Sequence, residues 1–528
     1  MSTESGSSVI EECYEFLVLV STACEDGIKT FYESGGMNML ASQMSTLPDG
    51  SHTVQLAIRL VQLMISKLSL DSICNENASE LSIMVATMAK HFAVLHNALK
   101  FEVLHLLSAI LSHYDAPLHD ALRLMKNDVW SAYIRVGVTD ILQNRVAPAA
   151  KLQALILAES VISTVGEEWL IGQMNLPDLQ DRVPADRCIL LVLESSRVEI
   201  AVLLNEIAYL KYEVSKNSSS NDKNILLKQR NLGVCFSLVE KIIKLISKVG
   251  EDKDCIISER ITKIICGLDE TIGVILEYLQ DAKDHGQKKG DDLLASVRIS
   301  GSYLAEAPHA CKEKVRELLA YMLSVEGADE PSPFYSICFL LPMLCQLTME
   351  VDGCKSLASS GAYKAVVGCL IKLIGPSCCN DEDNVSIFLA CDTILSFLLK
   401  REQIRFPLDD ASFVKLLAAL SHWAGIPSVT ALNVVGCLIK LIGPSCCNDE
   451  DNVSIFLACD TILSFLLKRE QIRFPLDDAS FVKLLAALSH WAGIPSVTAL
   501  NVLMCALLSH ASNENESLVV IILFTRCT

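Results

Sequence analysis

Apolar residues recur at intervals of three and four along most of the chain. The clearest run is Cys235, Leu238, Val239, Ile242, Leu245, Ile246 and Val249, which the spacing places on one face of a helix. The same spacing predicts helices near 8–22, 51–68, 78–93, 97–113, 128–143, 148–164, 259–282, 291–306 and 310–324. Residues 185–210 carry apolar positions on more than one face, which predicts a helix buried between neighbours.

The segments between these helices are short, and no strand-like alternation interrupts them. Longer loops are predicted at 174–184 and at 215–224, where SKNSSSNDKN has the composition of a flexible linker. Many helices joined by short loops are typical of stacked helices. The pattern therefore predicts an all-α fold, an armadillo/HEAT-like right-handed helical solenoid that extends as one domain over 1–528.

Two segments match the opening of an armadillo repeat, in which a helix follows Ser-Gly. They are Ser34-Gly35-Gly36 and Ser360-Gly361-Ala362. Glycine permits the tight turn that other residues resist. Armadillo and HEAT units run about 40–47 residues.

Residues 366–433 and 434–501 are identical, an exact tandem duplication. Diverged structural repeats share only a pattern, so perfect identity indicates a recent duplication or an error in the gene model, and we favour the error. Each copy predicts three helices, which is one armadillo-type unit. A solenoid can therefore accommodate the duplication, because one added unit of three helices leaves every later helix in the same layer of the stack.

Composition narrows the class of partner. The chain of 528 residues has 44 Lys and Arg against 63 Asp and Glu, a formal charge of −19, and only 24 Gly and 15 Pro. Few turn formers favour helices, and a strongly acidic chain repels nucleic acid. Basic or amphipathic segments of proteins are the expected partners.

The cysteines and the ends of the chain indicate the compartment. There are 21 cysteines, an odd number, and no signal peptide opens the sequence. We therefore expect most cysteines to be small buried hydrophobes in the reducing cytoplasm. Residues 331–349 carry no charge but hold three prolines, which favours a buried core helix over a membrane span.

Three segments carry a resemblance to a known family. They are 100–107 (KFEVLHLL), 196–201 (SRVEIA) and 294–306 (LASVRISGSYLAE). The chain resembles the neurochondrin family, specifically its plant members, from about Ser8 to about Trp423 and again through the second copy. The third segment is the most specific, and Ser300 departs from it where the family carries an apolar residue.

The resemblance implies a cytosolic, armadillo-like helical protein that binds other proteins. Animal members are linked to neurite outgrowth, receptor cytoplasmic tails and calmodulin-dependent kinase signalling, and some are anchored by S-acylated cysteines near the N-terminus. The first cysteine of this chain is Cys13, so that anchor does not carry over. Family members also extend beyond both ends of the matched region, so we expect Met1 to be an internal methionine of a longer product.

Motifs for catalysis and for metal binding are missing from the sequence. It contains no phosphate-binding glycine loop, no GxSxG, no HExxH, no EF-hand loop and no CxxC. The best metal candidate has poor ligand spacing, so we predict no metal site there; it comprises His91, His96, His105, His113 and His119 with Asp115 and Asp120. No catalytic residue and no cofactor is predicted.

Four other features of the sequence are candidate functional sites. The adjacent thiols Cys378-Cys379 and their copy Cys446-Cys447 lie near acidic residues that would raise their pKa. The acidic run 380–384 is typical of a solvated loop. Trp130 and Trp169 are expected to anchor helix packing. Arg298 and Glu306 share a helix and are either surface contacts or an ordinary exposed pair.

Three functional hypotheses remain open at this point. The first is a non-catalytic cytoplasmic scaffold or adaptor, a neurochondrin-like signalling regulator that binds partner proteins, among them receptor tails or kinases, on a solenoid groove. The second is an S-acylated peripheral membrane protein involved in trafficking. The third is an enzyme with an unrecognised site, which helical stacks rarely supply. The oligomeric state is not predicted.

Overall fold

The protein is described by a computed structural model. The described residues are 3–24, 26–113, 116–125, 129–172, 176, 184–212, 219–251, 258–329, 332–373, 386, 389–390 and 393–394. Within these ranges the chain forms 18 α-helices and two short 3₁₀ helices. The β-type pairing found there is one isolated bridge between Lys289 and Glu326. The predicted all-α class is confirmed.

The chain divides into two compact units, Met1–His285 and Gly286–Thr528. The first unit contains α1 (Thr3–Ala23), α2 (Gly27–Glu33), α3 (Gly36–Gln43), α4 (His52–Lys67), α5 (Leu70–Glu76), α6 (Ala78–Val94), α7 (Leu99–Leu111), α8 (Ala116–Leu124), α9 (Val129–Gln143), α10 (Pro148–Val165), α11 (Arg187–Tyr212), α12 (Ser219–Glu251) and α13 (Ser258–Asp284). Its 3₁₀ helices are Met44–Thr46 and Glu167–Leu170.

Helices of the first unit stack in a three-helix repeat. Helices α3, α6 and α9 pack in sequence on one another, and so do α4, α7 and α10, with α1 against α4. The short helices α2, α5 and α8 lead into the units, and α5 packs on α8. In these pairs a helix contacts the third helix along the chain, which is the packing of an armadillo-type solenoid.

Side-chain hydrogen bonds show the length of this repeat. Tyr32 Oη donates to Glu76, 44 residues away, and Lys100 Nζ to Asp140, 40 residues away. The hydroxyls of Ser112 and Ser160 meet at a separation of 48 residues. These separations agree with armadillo and HEAT units of about 40–47 residues.

Both predicted Ser-Gly turns are present. Gly35 lies between α2 and α3 with φ of +88°, and Gly361 follows α17 (Val351–Ser360) with φ of +73°. Glycine adopts this left-handed backbone without the steric penalty that a side chain incurs. The sequence thus located two helix boundaries correctly.

The second unit is described over α14 (Asp291–Glu306), α15 (Lys312–Met322), α16 (Phe334–Thr348), α17 and α18 (Ala362–Leu373). Helix α14 packs on α16, and α16 packs on α17 and α18. The uncharged segment 331–349 forms α16, in which Leu340, Leu341 and Leu344 are buried. Among the described residues, no helix is long and apolar enough to cross a membrane.

Two predictions on the first unit need correction. Helix α11 packs on α9, α10, α12 and α13, yet Val198 and Tyr209 are 58% and 59% exposed, so one of its apolar faces is not covered. The predicted loop 215–224 is shorter than expected, because α12 begins at Ser219. Ser, Asn and Asp are favourable in the first turn of a helix, which permits this earlier start.

Other predictions lie outside the described residues. Most of the duplicated region 366–501 belongs there, as do residues 213–218 and most of the predicted loop 174–184. The duplication, the linker over 215–218 and the single domain over 1–528 therefore stay predictions.

Candidate functional site

A groove of about 270 Å³ crosses the layer formed by α3, α6 and α9 in the first unit. Its lining residues come from the end of the α3 segment, from α6 and from the start of α9: Met44, Ser45, Leu47, Asp49, Ile83, Ala86, Thr87, Lys90, His91, Met125, Val129, Trp130 and Tyr133. Stacking of three consecutive repeat units creates this groove, since each unit contributes one wall.

Helical spacing places the lining residues on the groove side. On α6, Ile83, Thr87 and Lys90 recur at i, i+4 and i+7, so they share one face of the helix. On α9, Val129 and Tyr133 are likewise four residues apart. The rim is apolar and accessible, because Ile83 is 41% and Val129 38% exposed. Exposed apolar side chains grouped around a groove are typical of protein-binding surfaces.

The polar end of the groove contains three charged or titratable groups. Lys90 Nζ lies 3.4 Å from Oδ2 of Asp49, and Nδ1 of His91 lies 3.2 Å from Oδ1 of the same carboxyl group. His91 is buried, and this burial lowers its pKa. Asp49 opposes that shift and Lys90 adds to it. The neutral imidazole is therefore favoured at neutral pH.

Two buried side chains of this groove have unsatisfied nitrogen atoms. Within the part of the chain that the structure describes, neither ring nitrogen of His91 makes a hydrogen bond of normal geometry, and Nε1 of Trp130 has no hydrogen-bond partner. Both residues are only 2% exposed. Buried polar groups are nearly always hydrogen-bonded, because an unsatisfied one costs about 1–3 kcal/mol. Two such groups beside one groove therefore distinguish it from an ordinary helix interface.

Two other surface depressions lack this feature. One of about 210 Å³ in the second unit runs between α15 and α17. Its charged groups interact with one another. Lys355 lowers the pKa of Asp352 the most, and Lys312 and Arg316 lower it further. The other lies between α11 and α12, where Glu206 accepts a hydrogen bond from Lys228. In both, the charged groups find partners within the chain.

The structure does not bring together the histidines that the sequence offered as a metal candidate. His91 faces Asp49, whereas His113 lies 3.0 Å from Asp71. The ring of His119 contacts the Thr164 hydroxyl at 3.1 Å. His96 and His105 are exposed, as is Asp120, and Asp115 lies outside the described residues. The histidines therefore lie beside different partners in separate parts of the helical stack.

One group of potential metal ligands occurs among the described residues, and sequence analysis did not single it out. It comprises Glu11 and Glu15 on α1 with His52 on α4. His52 Nε2 lies 3.6 Å from Oε1 of Glu15, and both side chains are more than half exposed. Exposed acidic clusters of this kind are common without a metal, so the group is not assigned a role.

The two tryptophans that were expected to anchor packing are both buried. The polar groups of Trp169 are hydrogen-bonded. Its Nε1 donates to the carbonyl of Ser131, and its backbone carbonyl accepts from Nε of Arg135. Trp130 packs equally deeply but leaves its Nε1 unpaired. Arg298 and Glu306 are both exposed on α14, and Arg298 lies over the ring of Phe339.

Described cysteines are free thiols, and many behave as small hydrophobes. Cys74, Cys188, Cys235, Cys354 and Cys369 are buried, whereas Cys13, Cys24 and Cys266 are exposed. Burial raises the pKa of Cys188 to about 11, which suppresses the reactive thiolate. The thiols Cys378-Cys379 and Cys446-Cys447 and the acidic run 380–384 lie outside the described residues.

Sequence reasoning missed the groove itself. It had noted His91 as a metal candidate and Trp130 as a packing anchor, but nothing in the sequence joined them, because they are 39 positions apart (130 − 91). The signal that could have joined them is the length of an armadillo-type repeat, about 40–47 residues, since residues one repeat apart lie side by side on neighbouring helices.

A family model supports the resemblance noted in the sequence. The model described as Neurochondrin matches residues 1–435. Curated relatives named Neurochondrin are 23% identical in Xenopus laevis, covering 68% of this chain and 50% of that protein, and 22% identical in Gallus gallus, covering 67% and 49%. The human protein is 22% identical over 54% of this chain and 38% of its own length. This chain spans about half the length of the first two relatives.

One solved structure covers 96% of this chain and 99% of its own, at 12% identity and a TM-score of 0.21. It is a circular tandem repeat protein with novel repeat topology and enhanced subunit contact surfaces. The fold assignment rests on the helix packing and not on this likeness.

Proposed function

Because the chain belongs to the neurochondrin family, we propose that it is a non-catalytic scaffold that holds partner proteins on the surface of its stacked helices. It acts in the cytoplasm as a neurochondrin-like regulator of signalling. Its partners present basic or amphipathic segments, such as those of receptor tails or kinases, and its net charge of −19 steers basic segments towards it.

The groove across α3, α6 and α9 is the observation that carries this proposal. It combines an accessible apolar rim, formed by Ile83 and Val129, with buried polar groups that have no hydrogen-bond partner among the described residues. A specific protein-binding site needs both, since apolar area supplies affinity and polar groups select the ligand. An inert spacer of stacked helices would gain nothing from unsatisfied nitrogens.

Affinity purification of the full chain from its native tissue, combined with cross-linking and mass spectrometry, tests the proposal. We expect a short, reproducible set of proteins cross-linked to the stacked helices. The proposal fails if no protein is recovered above background, or if the purified chain converts a metabolite.

A further inference from the structure

Two thiols from different helices meet in the second unit. Cys338 lies on α16 and Cys369 lies on α18, 31 residues further along the chain, and their Sγ atoms are 3.6 Å apart. The S–S bond of a disulfide is about 2.05 Å long, so the two sulfur atoms need to approach by about 1.6 Å, a distance within the reach of side-chain rotation. The pair therefore has the proximity that an intramolecular disulfide needs.

A second contact joins the same two helices one turn away. Lys372 follows Cys369 by three residues on α18, and Phe334 precedes Cys338 by four residues on α16. Nζ of Lys372 lies 5.6 Å from the centre of the Phe334 ring and donates a hydrogen bond to Oγ of Ser332 at 2.8 Å. Two contacts separated by one helical turn therefore hold α16 and α18 in register at the sulfur pair.

Exposure differs between the two thiols. Ala362, Val366, Cys369 and Leu373 recur at i, i+4, i+7 and i+11, and all four are buried on the face of α18 that carries the contact with α16. Cys369 is 2% exposed, whereas Cys338 is half-buried. A small oxidant in the solvent therefore reaches Cys338 before it reaches Cys369.

Ionisation differs in the same direction. The hydrogen bond with Cys338 raises the pKa of Cys369 the most, and burial adds to this shift, while Lys372 opposes it. Cys369 thus keeps its proton and donates it towards the sulfur of Cys338. Because the thiolate is the form that reacts with peroxides, the half-buried sulfur is the one placed to react first.

We propose that Cys338 and Cys369 form a reversible disulfide in response to hydrogen peroxide, with Cys338 as the sulfur that is oxidised first. The Cys338 thiolate attacks the peroxide: an S–O bond forms, the O–O bond breaks, and hydroxide leaves and takes up the proton that Cys338 released. The Cys369 sulfur then attacks the sulfenic sulfur, so the S–S bond forms and the S–O bond breaks. The departing hydroxide takes the Cys369 proton and leaves as water. Two electrons pass from the two thiols to the peroxide.

The bond joins α16 to α18 across the segment that contains α17. A cross-link over the loop 338–369 stabilises the folded unit mainly by restricting the unfolded chain. In a reducing compartment such bonds are transient and respond to oxidation. The second unit then has a reduced form and a more stable oxidised form. This site does not depend on the proposed scaffold function.

The test treats the reduced full chain with stoichiometric hydrogen peroxide and then alkylates the remaining thiols. Trypsin leaves Cys338 in the peptide 317–355 and Cys369 in the peptide 365–372. Mass spectrometry of the digest, without reduction, shows whether these two peptides are joined. A second portion is reduced with dithiothreitol before alkylation, which shows whether the bond is reversible.

The duplicated sequence does not confuse this readout. Cys437 is the copy of Cys369, but trypsin leaves it in the longer peptide 416–440. A bond to the second copy therefore gives a product of different mass. The peptide from α16 contains three cysteines, and fragmentation shows which of them is bonded.

We expect the peptides 317–355 and 365–372 to be joined through Cys338 and Cys369 after peroxide and to separate after dithiothreitol. Alkylation should then label two fewer thiols in each oxidised chain. Thermal unfolding of the oxidised chain should occur several degrees above that of the reduced chain, because the cross-link restricts the unfolded state.

Three variants test the order of the steps. Cys338→Ser should leave Cys369 reduced, since the oxidant does not reach the buried thiol. Cys369→Ser should form no bond, and the sulfenic acid should accumulate on Cys338, where dimedone traps it. Cys345→Ser is the matched control, because Cys345 is also half-buried on α16, and the bond should form as in the wild type. Circular dichroism shows that each variant folds, and the wild-type digest tests the bond without any variant.

Three results would overturn this inference. The first is that Cys338 and Cys369 stay reduced under conditions that oxidise the exposed thiol Cys266. The second is a bond that joins other cysteines, Cys437 among them. The third is a dimedone adduct on Cys369 in Cys338→Ser, which would reverse the order. The scaffold proposal is tested separately by the proteins recovered from tissue, so either proposal can fail without the other.

Discussion

Gly137 on α9 packs against the ring of Phe92 on α6. A methyl group on Gly137 would lie 2.3 Å from Cδ1 and 2.4 Å from Cε1 of Phe92, which is fully buried. Two of the helices that line the groove are therefore held together at a position where only glycine fits. Lys100 Nζ lies 5.6 Å from the centre of the same ring, so Phe92 is confined from a second direction.

Gly137→Ala should destabilise the first unit. The phenylalanine ring cannot move far in a packed core, and overpacking of this kind costs about 1–3 kcal/mol. Thermal or urea unfolding measures the loss. Gly233→Ala is the control, because Gly233 lies within α12 with nothing near its missing side chain. That change should stabilise by about 0.5–1 kcal/mol. Equal stability of the two variants would show that Gly137 does not pack tightly against Phe92.

Removing the partner of Lys100 should be more damaging than removing Lys100. Its side chain is 4% exposed, and its Nζ lies 2.5 Å from Oδ2 of Asp140. Asp140→Ala leaves a buried charge unpaired, which costs about 3–5 kcal/mol. Lys100→Met replaces the charge by an apolar chain and should cost less. Urea unfolding of both variants and of the double variant checks this order.

An exposed ion pair provides the comparison for Lys100. Asp120 and Arg123 lie 3.1 Å apart on α8 with side chains 64% and 50% exposed. Asp120→Ala should change stability by no more than about 0.5 kcal/mol, since exposed pairs contribute little. A loss as large as that of Asp140→Ala would show that burial is not what distinguishes the two pairs.

Ser300→Ala should stabilise the second unit. Ser300 is fully buried on α14, and its hydroxyl has no hydrogen-bond partner among the residues that the structure describes. Removing an unsatisfied hydroxyl recovers a desolvation cost of about 1 kcal/mol. Ser296 is the matched control, because it is equally buried on the same helix but donates to the carbonyl of Asp292 at 2.7 Å. Ser296→Ala should be neutral or slightly destabilising, and a reversed order would refute the assignment.

Stability of the first unit should fall below about pH 6.5 because of His91. Burial lowers its pKa in the folded chain, while the unfolded chain keeps the ordinary value of about 6.5. The unfolded state therefore binds a proton that the folded state refuses, so stability is lost as the pH falls from that value towards the folded pKa. Asp49 moderates this loss, and Lys90 increases it.

The variant His91→Leu isolates this contribution. Its free energy of unfolding should depend less on pH between about 7 and 5, by up to about 1.4 kcal/mol per pH unit. Urea unfolding at several pH values gives the two slopes. Indistinguishable slopes would show that His91 takes up its proton in the folded chain as readily as in the unfolded one.

Much of the fold follows from local pattern. The apolar spacing of Cys235, Leu238 and Val239 predicts a helix, and α12 contains it. Gly35 and Gly361 predict turns, and both have positive φ. Such features depend on residues within one or two helical turns, where backbone sterics and side-chain spacing act directly.

Exposure of α11 could not be predicted in the same way. Its apolar residues lie on several faces, which predicts a helix buried between neighbours. Helices α12 and α13 cover only part of it, and Val198 and Tyr209 stay exposed. Whether an apolar face is covered depends on the lengths and positions of neighbouring helices, which the residues of α11 do not encode.

The sequence by itself determined that this chain is helical, where two of its turns fall and which family it resembles, since these depend on short-range periodicity and on matched segments. Only the tertiary structure decided that His91 and Trp130 line one groove, with Oδ1 of Asp49 3.2 Å from Nδ1 of His91. Three successive units had to stack before those side chains could meet. A site formed by residues of several repeat units can be recognised only from the packed structure. The local sequence pattern does not specify the distances between residues of different units.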